Sequence, residues 1–359
     1  MKTLNLIAFA GDGIGPEITA ATLKVLEAAN QSLKLGLAVQ HDDVGFASLE
    51  KHGHTIPDAT LDKARSADGI ILGPCDTYGY PPPDQGGVNP SSKLRLTLDL
   101  YANMRPSRTI KGVPSLVPQM DLVIARENTE GFYADRNMFM GSGEFMPTPD
   151  VALAVRKITA ASSKRIAIAA CEAAMLRRKH LTIVSKANVL KLSDGLFLRE
   201  ARAVVTKYPE LTVDEVLVDA MASHLVRSPE IYDVIVTTNM FGDILSNQAS
   251  ELAGGLGLAG SLNAGDTHAM AQASHGSAPD IAGQDIANPC SLLFSTSMLL
   301  DWLAKRHNRP ELARAGTLMD QAVYDVLADP QSRTPDLGGK LGTKAFGDAV
   351  CARLATLAK

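Results

Sequence analysis

The chain has 359 residues, a formal net charge of -4, and 45% hydrophobic and 21% charged residues. That is ordinary globular composition, with enough length for two lobes that each bury a core. No long basic run appears, which argues against nucleic-acid binding. No stretch of about eighteen apolar residues predicts a membrane span.

In chain order, "LNLIAFA" predicts a first β-strand. The Gly-Asp-Gly and Pro that follow it, with no small-residue cleavage pattern, separate it from a signal peptide, so the expected setting is the cytoplasm. A Gly-rich turn leads into a helix, "PEITAATLKVLEAAN", with Pro16 placed at its start. "GIILG" (Gly69 to Gly73), "LDLYANMRP", "DLVIARE", "LTIVSKAN", "LTVDEVLVD" and "YDVIVTTN" read as further strands ending in polar or charged residues. Helical patterns are expected over Asp150 to Ala170 and Leu190 to Tyr208, and again in "CSLLFSTSMLLDWLAKR". This alternation predicts an α/β protein with an at least partly parallel sheet. Ligands in such folds bind beyond the carboxyl ends of the strands. Two loops there look functional, Pro74 to Pro90 and Ser274 to Pro289. The stretch 132–149, "FYADRNMFMGSGEFMPTP", combines aromatic residues and Met with little helical period, and so calls for a partner surface. Cys75, Cys171, Cys290 and Cys351 are far apart, which suggests neither a zinc knuckle nor a disulfide framework.

Several groups of residues have chemical potential, each beside a plainer explanation. "GDGIGPE" sits between a strand and a helix but is spaced G-x-G-x-G, so it is either a tight turn or a weak dinucleotide fingerprint. Arg95, Arg105 and Arg126 could grip carboxylates through parallel hydrogen bonds, or each could face solvent. Lys186 with Asn188 at a strand end, and Tyr133, could be a base and an acid, or a surface Lys and a packing Tyr. Asp219, Asp243 and Asn247 offer oxygen donors suited to magnesium or manganese; the two acids could equally stabilise helix N-termini. If a helix starts near Gly242, Asp243 and Asn247 share one face. "HGSAPDIAGQDIANP" is the most specific string, since its small residues permit close backbone approach while His275 and Asp280 could hold a nucleoside.

Taken together, "GDGIGPEI", "LDLYANMRP", "RENTEGFY", "VSKANVLK", "VDAMA", "NMFGDILSNQAS", "HGSAPDIAGQDIANP" and "PDLGGKLGT" resemble the β-decarboxylating dehydrogenases. These are the isocitrate/isopropylmalate dehydrogenase family, with the 3-isopropylmalate enzymes as the nearest type. The resemblance implies an isopropylmalate dehydrogenase-like two-domain α/β fold rather than a classical Rossmann fold. A large, discontinuous NAD-binding domain would comprise 1–100 and 250–359. A small domain, 101–249, would form the dimer interface, with an arm at about 132–149 and the active site in the cleft between domains. In a homodimer, Lys186 and Asp219 would reach the neighbouring subunit's active site. Lys186 would take the 2-hydroxyl proton, Tyr133 would protonate the enolate, and Asp219 would join Asp243 and Asn247 around Mg2+ or Mn2+. Arg95, Arg105, Arg126, Ser91 and Asn188 would bind substrate. Ile14, His275, Gly276, Ser277, Ala278, Pro279, Asp280 and Asn288 would bind NAD, the acid at Asp280 disfavouring a 2′-phosphate. The family usually has Asp where this chain has Asn247, which removes one negative charge. The implied reaction is oxidative decarboxylation of a (2R)-malate-type acid. The candidate substrates are 3-isopropylmalate first, then isocitrate or homoisocitrate, then tartrate or D-malate. The departure at Asn247 leaves open a ligand-binding member with weakened catalysis. No nucleic-acid or membrane partner is expected.

Overall fold

A computed structural model of the chain describes residues 2–133, 135 and 137–359. Of the expected arm, residues 134 and 136 lie outside the described residues. In chain order, the first elements are β1 (Leu4–Phe9), α1 (Gly15–Leu33), β2 (Leu37–Asp42), α2 (Phe46–His52), α3 (Asp58–Ser66), β3 (Gly69–Leu72) and α4 (Pro90–Thr97). The middle of the chain forms β4 (Ala102–Arg108), β5 (Asp121–Glu127), β6 (Glu144–Thr148), β7 (Val151–Ala154), α5 (Ala160–Met175), β8 (His180–Ser185), α6 (Ser193–Val205), β9 (Thr212–Leu217), α7 (Val218–Arg227), β10 (Val234–Thr237) and α8 (Asn239–Ala253). The last elements are β11 (Leu262–Ala264), β12 (Ala269–Gln272), α9 (Cys290–His307), α10 (Pro310–Ala328) and α11 (Thr343–Leu357).

The chain divides into two compact units, one of 1–98, 110–115 and 254–359, the other of 99–109 and 116–253. Residues 110–115, which fall inside the expected 101–249 stretch, thus pack with the first unit. Ile110 and Val113 bury their side chains in that unit's core.

In the first unit, β1 pairs in parallel with β2 and β3, β3 pairs in parallel with β12, and β12 pairs antiparallel with β11. Every residue of β3 is buried, which is why "GIIL" reads as an unbroken apolar run rather than an alternating one. The core joins Leu4 and Leu6 of β1 to Ile18 and Val25 of α1, Leu299 and Leu303 of α9, Met319 and Val323 of α10, and Phe346 and Val350 of α11. Pro16 lies in the first turn of α1, where its missing N–H costs nothing.

In the second unit, β10 lies between β5 and β8 in parallel, β9 continues beyond β8, and β4 pairs antiparallel with β5. One apolar cluster packs Val123, Leu181 and Val236 with Ile166 and Ala170 of α5 and Phe197 of α6. A second packs Leu122, Ile124 and Ile235 with Met221 of α7 and Leu245 and Ala249 of α8. The helix expected from Asp150 starts instead at Ala160, capped by Thr159, whose side chain accepts from the Ser162 N–H. Such a cap contributes about 1 kcal/mol. Residues Val151–Ala154 form a strand paired with β6 in an antiparallel hairpin. Both strands of that hairpin are exposed along their whole length. Phe139, Met140, Phe145, Met146, Val151 and Leu153 are exposed on it and beside it. A lone two-stranded hairpin is marginal in water, so this apolar surface favours a partner.

Candidate functional site

In the first unit, the turn "GDGIG" is built for close approach. Gly13 has φ +59, and a Cβ there would sit 2.0 Å from the Ser277 carbonyl oxygen. That carbonyl accepts from the Ile14 N–H at 2.8 Å, tying the turn to the "HGSAPD" loop. Asp12, 6% exposed, accepts from the Phe46 N–H at 2.8 Å, the Asp76 N–H at 3.0 Å and the Tyr80 hydroxyl. One carboxylate therefore gathers three loops. Burial, the nearby Cys75 and the bond to Asp12 all hold the Tyr80 hydroxyl protonated.

Beside this turn lies a cavity of about 220 Å³, lined by Ile14, His275, Gly276, Ala278, Asn288 and Asp336 among others. Ala278 adopts a left-handed backbone, φ 38. His275 Nδ1 is 2.9 Å from the Gly276 carbonyl, which can only accept, so Nδ1 carries the hydrogen and Nε2 is an acceptor. Nε2 is buried without a hydrogen-bond partner among the described residues. Burial also lowers the imidazole pKa below its ordinary value, which keeps it neutral. An unpartnered acceptor on the cavity wall fits the amino edge of a purine. Asn288 donates to Asp336 at 2.9 Å. Asp336, inside "PDLGGKLGT", was not singled out from the sequence. Ser277 is buried; Pro279 and Asp280 form the exposed turn that follows.

Also in this unit, Ser91 is 6% exposed. Its hydroxyl donates to Gln272 Oε1 at 2.9 Å, and Arg95 Nη2 reaches the same oxygen at 2.9 Å. Arginine only donates, so the amide oxygen of Gln272 must face it. Gln272 ends β12, a strand the sequence reading did not single out, and its polar character after an apolar run was its only signal.

The second unit gathers Arg105 of β4, Arg126 of β5, Tyr133 and Asp243 of α8. The Asp243 carboxylate accepts from Arg105 Nη1 at 3.0 Å, Arg126 Nη1 at 2.5 Å and the Tyr133 hydroxyl at 2.9 Å. Arg126 also donates to the Tyr133 hydroxyl at 2.7 Å. The two guanidiniums are 7% and 2% exposed. Burial and the neighbouring Arg126 push Arg105 down to about 10. The other partners are neutral: Asn103 and Ser246 for Arg105, Asn239 and Tyr133 for Arg126. The helix begins at Asn239, three residues before the expected Gly242. Gly242 has a different reason to be glycine, since a Cβ there would lie 2.6 Å from Arg126 Cγ. Asp243 is consequently not an N-terminal cap; its charge is spent on the two arginines.

Lys186, one residue past β8, donates to Asp219 Oδ1 at 2.6 Å. Asp219 lies in the first turn of α7 rather than at a strand end. The Lys186 hydrogen bond holds its carboxyl below the usual range. Asn188 and Asn247 are exposed. Among the described residues, no group of three or more His, Cys, Asp or Glu gathers as a metal site. The donors available on Asp219, Asp243 and Asn247 are hard oxygens, and the Asp243 side chain is 36% exposed, so an ion can reach it. Oxygen donors of this kind are the type a magnesium ion takes.

The family model for isocitrate/isopropylmalate dehydrogenases matches residues 5–350. The chain is 38% identical to the 3-isopropylmalate dehydrogenase of Methanothermobacter thermautotrophicus over 355 residues, covering 99% of each. It is 42% identical to the isocitrate/homoisocitrate dehydrogenase of Thermus thermophilus over 348 residues, covering 97% of each. The crystal structure of isocitrate dehydrogenase from Methylococcus capsulatus aligns with a TM-score of 0.87 at 36% identity, covering 98% of this chain and 100% of that one. An α/β chain whose whole length matches these proteins is an oxidoreductase and belongs to the isocitrate/isopropylmalate dehydrogenase family.

Proposed function

We propose that the protein is a homodimeric, NAD-dependent and Mg2+- or Mn2+-dependent oxidative decarboxylase of a (2R)-malate-type acid with a β-carboxylate. The observation that carries this reading is the pair of buried guanidiniums, Arg105 and Arg126, sharing the single carboxylate of Asp243. Among the described residues, two positive charges face one, with only neutral groups otherwise, and this favours a further anion in a poorly solvated place. A substrate carboxylate answers that need through forked hydrogen bonds.

Arg105 and Arg126 then hold one carboxylate, with Arg95 as a further clamp. Lys186 accepts the 2-hydroxyl proton, and Tyr133 returns a proton to carbon after decarboxylation. Asp219, Asp243 and Asn247 are the oxygen donors for the divalent ion. Ile14, the stretch from His275 to Asp280, and Asn288 hold the dinucleotide. When bound, the dinucleotide supplies a hydride acceptor, and the ion supplies positive charge against the enolate that forms as CO2 leaves. The exposed apolar hairpin β6–β7 supports a second copy as partner. The four unpaired cysteines fit a reducing, cytoplasmic setting, and no described helix is long and apolar enough to cross a membrane.

The substrate's 3-substituent divides the candidates. The sequence puts 3-isopropylmalate first. One observation favours a second reading, isocitrate or homoisocitrate: at the position where an alkyl group would want apolar contact, Ser91 is a buried hydroxyl bonded to Gln272. Incubating the protein with NAD, Mn2+ and each of 3-isopropylmalate, isocitrate, homoisocitrate, tartrate and D-malate, while following NADH absorbance, decides among them. Turnover of none at millimolar concentration refutes the proposal. Lys186→Met should abolish turnover without unfolding the protein, and undiminished NADH formation would refute its role as base.

A further inference from the structure

A buried charged pair with no role so far holds the backbone of Lys186 through one of its members. Asp194, in the first turn of α6, is fully buried. Its Oδ2 accepts from the Lys186 N–H at 2.6 Å, and its Oδ1 is 2.5 Å from Arg156 Nη1. The Arg156 side chain, 8% exposed, donates to Ser193 Oγ at 3.1 Å and Thr238 Oγ1 at 3.0 Å. Its guanidinium lies 5.5 Å from the Phe132 ring and 5.2 Å from the Phe241 ring. These contacts run to functional neighbours. Phe132 precedes Tyr133. Thr238 directly precedes α8, and its carbonyl accepts from Gly242, beside Asp243.

The geometry points to Asp194 and Arg156 as positioning residues that fix the Lys186 backbone to the start of α8 and to the segment at Phe132, and so aim its side chain at the site it serves in the neighbouring subunit. This rests on the role proposed for Lys186. Neither residue touches that side chain's amine. A buried ion pair adds little net stability, because desolvation offsets most of its attraction. What it provides is a fixed geometry, since the planar guanidinium spans Ser193 and Thr238 while its charge faces Asp194, and such a fork admits few arrangements. Asp194 divides its work between two oxygens, one hydrogen-bonded to the Lys186 N–H and one in charge contact, without a hydrogen bond, with Arg156. Asparagine cannot do both. It has one acceptor oxygen, and its amide NH2 would confront a donor whichever way it turned. The Lys186 backbone should then drift, and a misplacement of about 1 Å costs on the order of 10²-fold in rate.

The test compares the full-length protein with Asp194→Asn and Arg156→Lys on the acid that the wild type turns over. The readings are kcat, KM for both substrates, thermal melting, and amide hydrogen exchange of the segment containing Lys186. Asp194→Asn should lower kcat about 10- to 100-fold, leave KM for NAD within about threefold, and speed exchange at Lys186. Arg156→Lys, which keeps the charge but loses the fork, should keep more of kcat than Asp194→Asn does. If Asp194→Asn fails to fold, Asp194→Asn with Arg156→Met leaves no lone buried charge and carries the test instead. A folded variant of Asp194 with kcat within about twofold of wild type overturns the inference. A wild type that turns over none of the acids refutes the proposed function instead. The exchange measurement then decides the anchor alone: faster exchange at Lys186 in Asp194→Asn supports it, and unchanged exchange overturns it.

Discussion

The cavity beside Ile14 and the cluster around Asp243 are built in opposite ways. The first is largely apolar, with Ile14, Ile281 and Ile286 beside alanines and glycines. Its walls come from the turn at Ile14, the left-handed Ala278 and a neutral His275, and it is defined by shape. The second is made of charge. Two buried arginines share one aspartate, and the arrangement stays poised for another anion. The difference teaches what each can tolerate. A shape-defined site fails when an atom is added, whereas a charge-defined site fails when a charge is removed and responds in proportion when one is added.

The sharpest way to break this comparison is Gly13→Ala. The new Cβ would need to occupy a point 2.0 Å from the Ser277 carbonyl oxygen in a backbone at φ +59. We expect NADH affinity, measured by calorimetry, to fall by at least about 100-fold, with loss of stability of order 1–3 kcal/mol. Wild-type binding by the Ala form would show that the cavity is not shape-defined. Next in size is Asp243→Asn, which removes the shared charge without changing volume. Manganese affinity should fall roughly tenfold or more, and melting should show a loss of about 1–2 kcal/mol. That figure is below the usual cost of orphaning buried charges, because the Asp243 side chain is 36% exposed.

Adding charge sharpens the same comparison. Asn247→Asp, one turn along α8, should tighten Mn2+ binding by several-fold, since affinity in such sites follows ligand charge count. Equal or tighter binding by the Asn form would remove Asn247 from the ion's surroundings. The smallest expected effect concerns Glu130, which is 2% exposed. Burial, reinforced by Glu127, raises its carboxyl from 4.5 to about 7. Between those values the folded state binds a proton that the unfolded state does not, so stability from this group falls as pH rises from 4.5 to about 7. Glu130→Gln, which can still accept from the Thr159 N–H, should flatten that decline and melt higher at pH 8. An unaltered pH slope would show that the buried carboxyl is not the cause.

Much of the chemistry was legible because residue type limits role. "GDGIG" is a tight turn, and its glycines mark real close approach; what the string hides is Asp12, whose partners at 46, 76 and 80 come from two other loops. The expected helix from Asp150 was misplaced because "VALAV" has no strong period, and the pairing of Val151–Ala154 with β6 overrode its helical tendency. Gln272 and Asp194 left almost no trace. A polar residue at a strand or helix end is common, and only its partners distinguish it.

The sequence by itself determined the local elements and the supply of reactive groups. Apolar period, turn residues and caps act over a few neighbouring residues, and the ordered motifs name the family. Only the tertiary structure decided which groups meet. Arg105 finds Asp243 across a separation of 138 residues, and Ser91 finds Gln272 across 181. Such pairs have no shared local signal, because the burial that gives their hydrogen bonds and charges strength exists only after the strands and helices have packed.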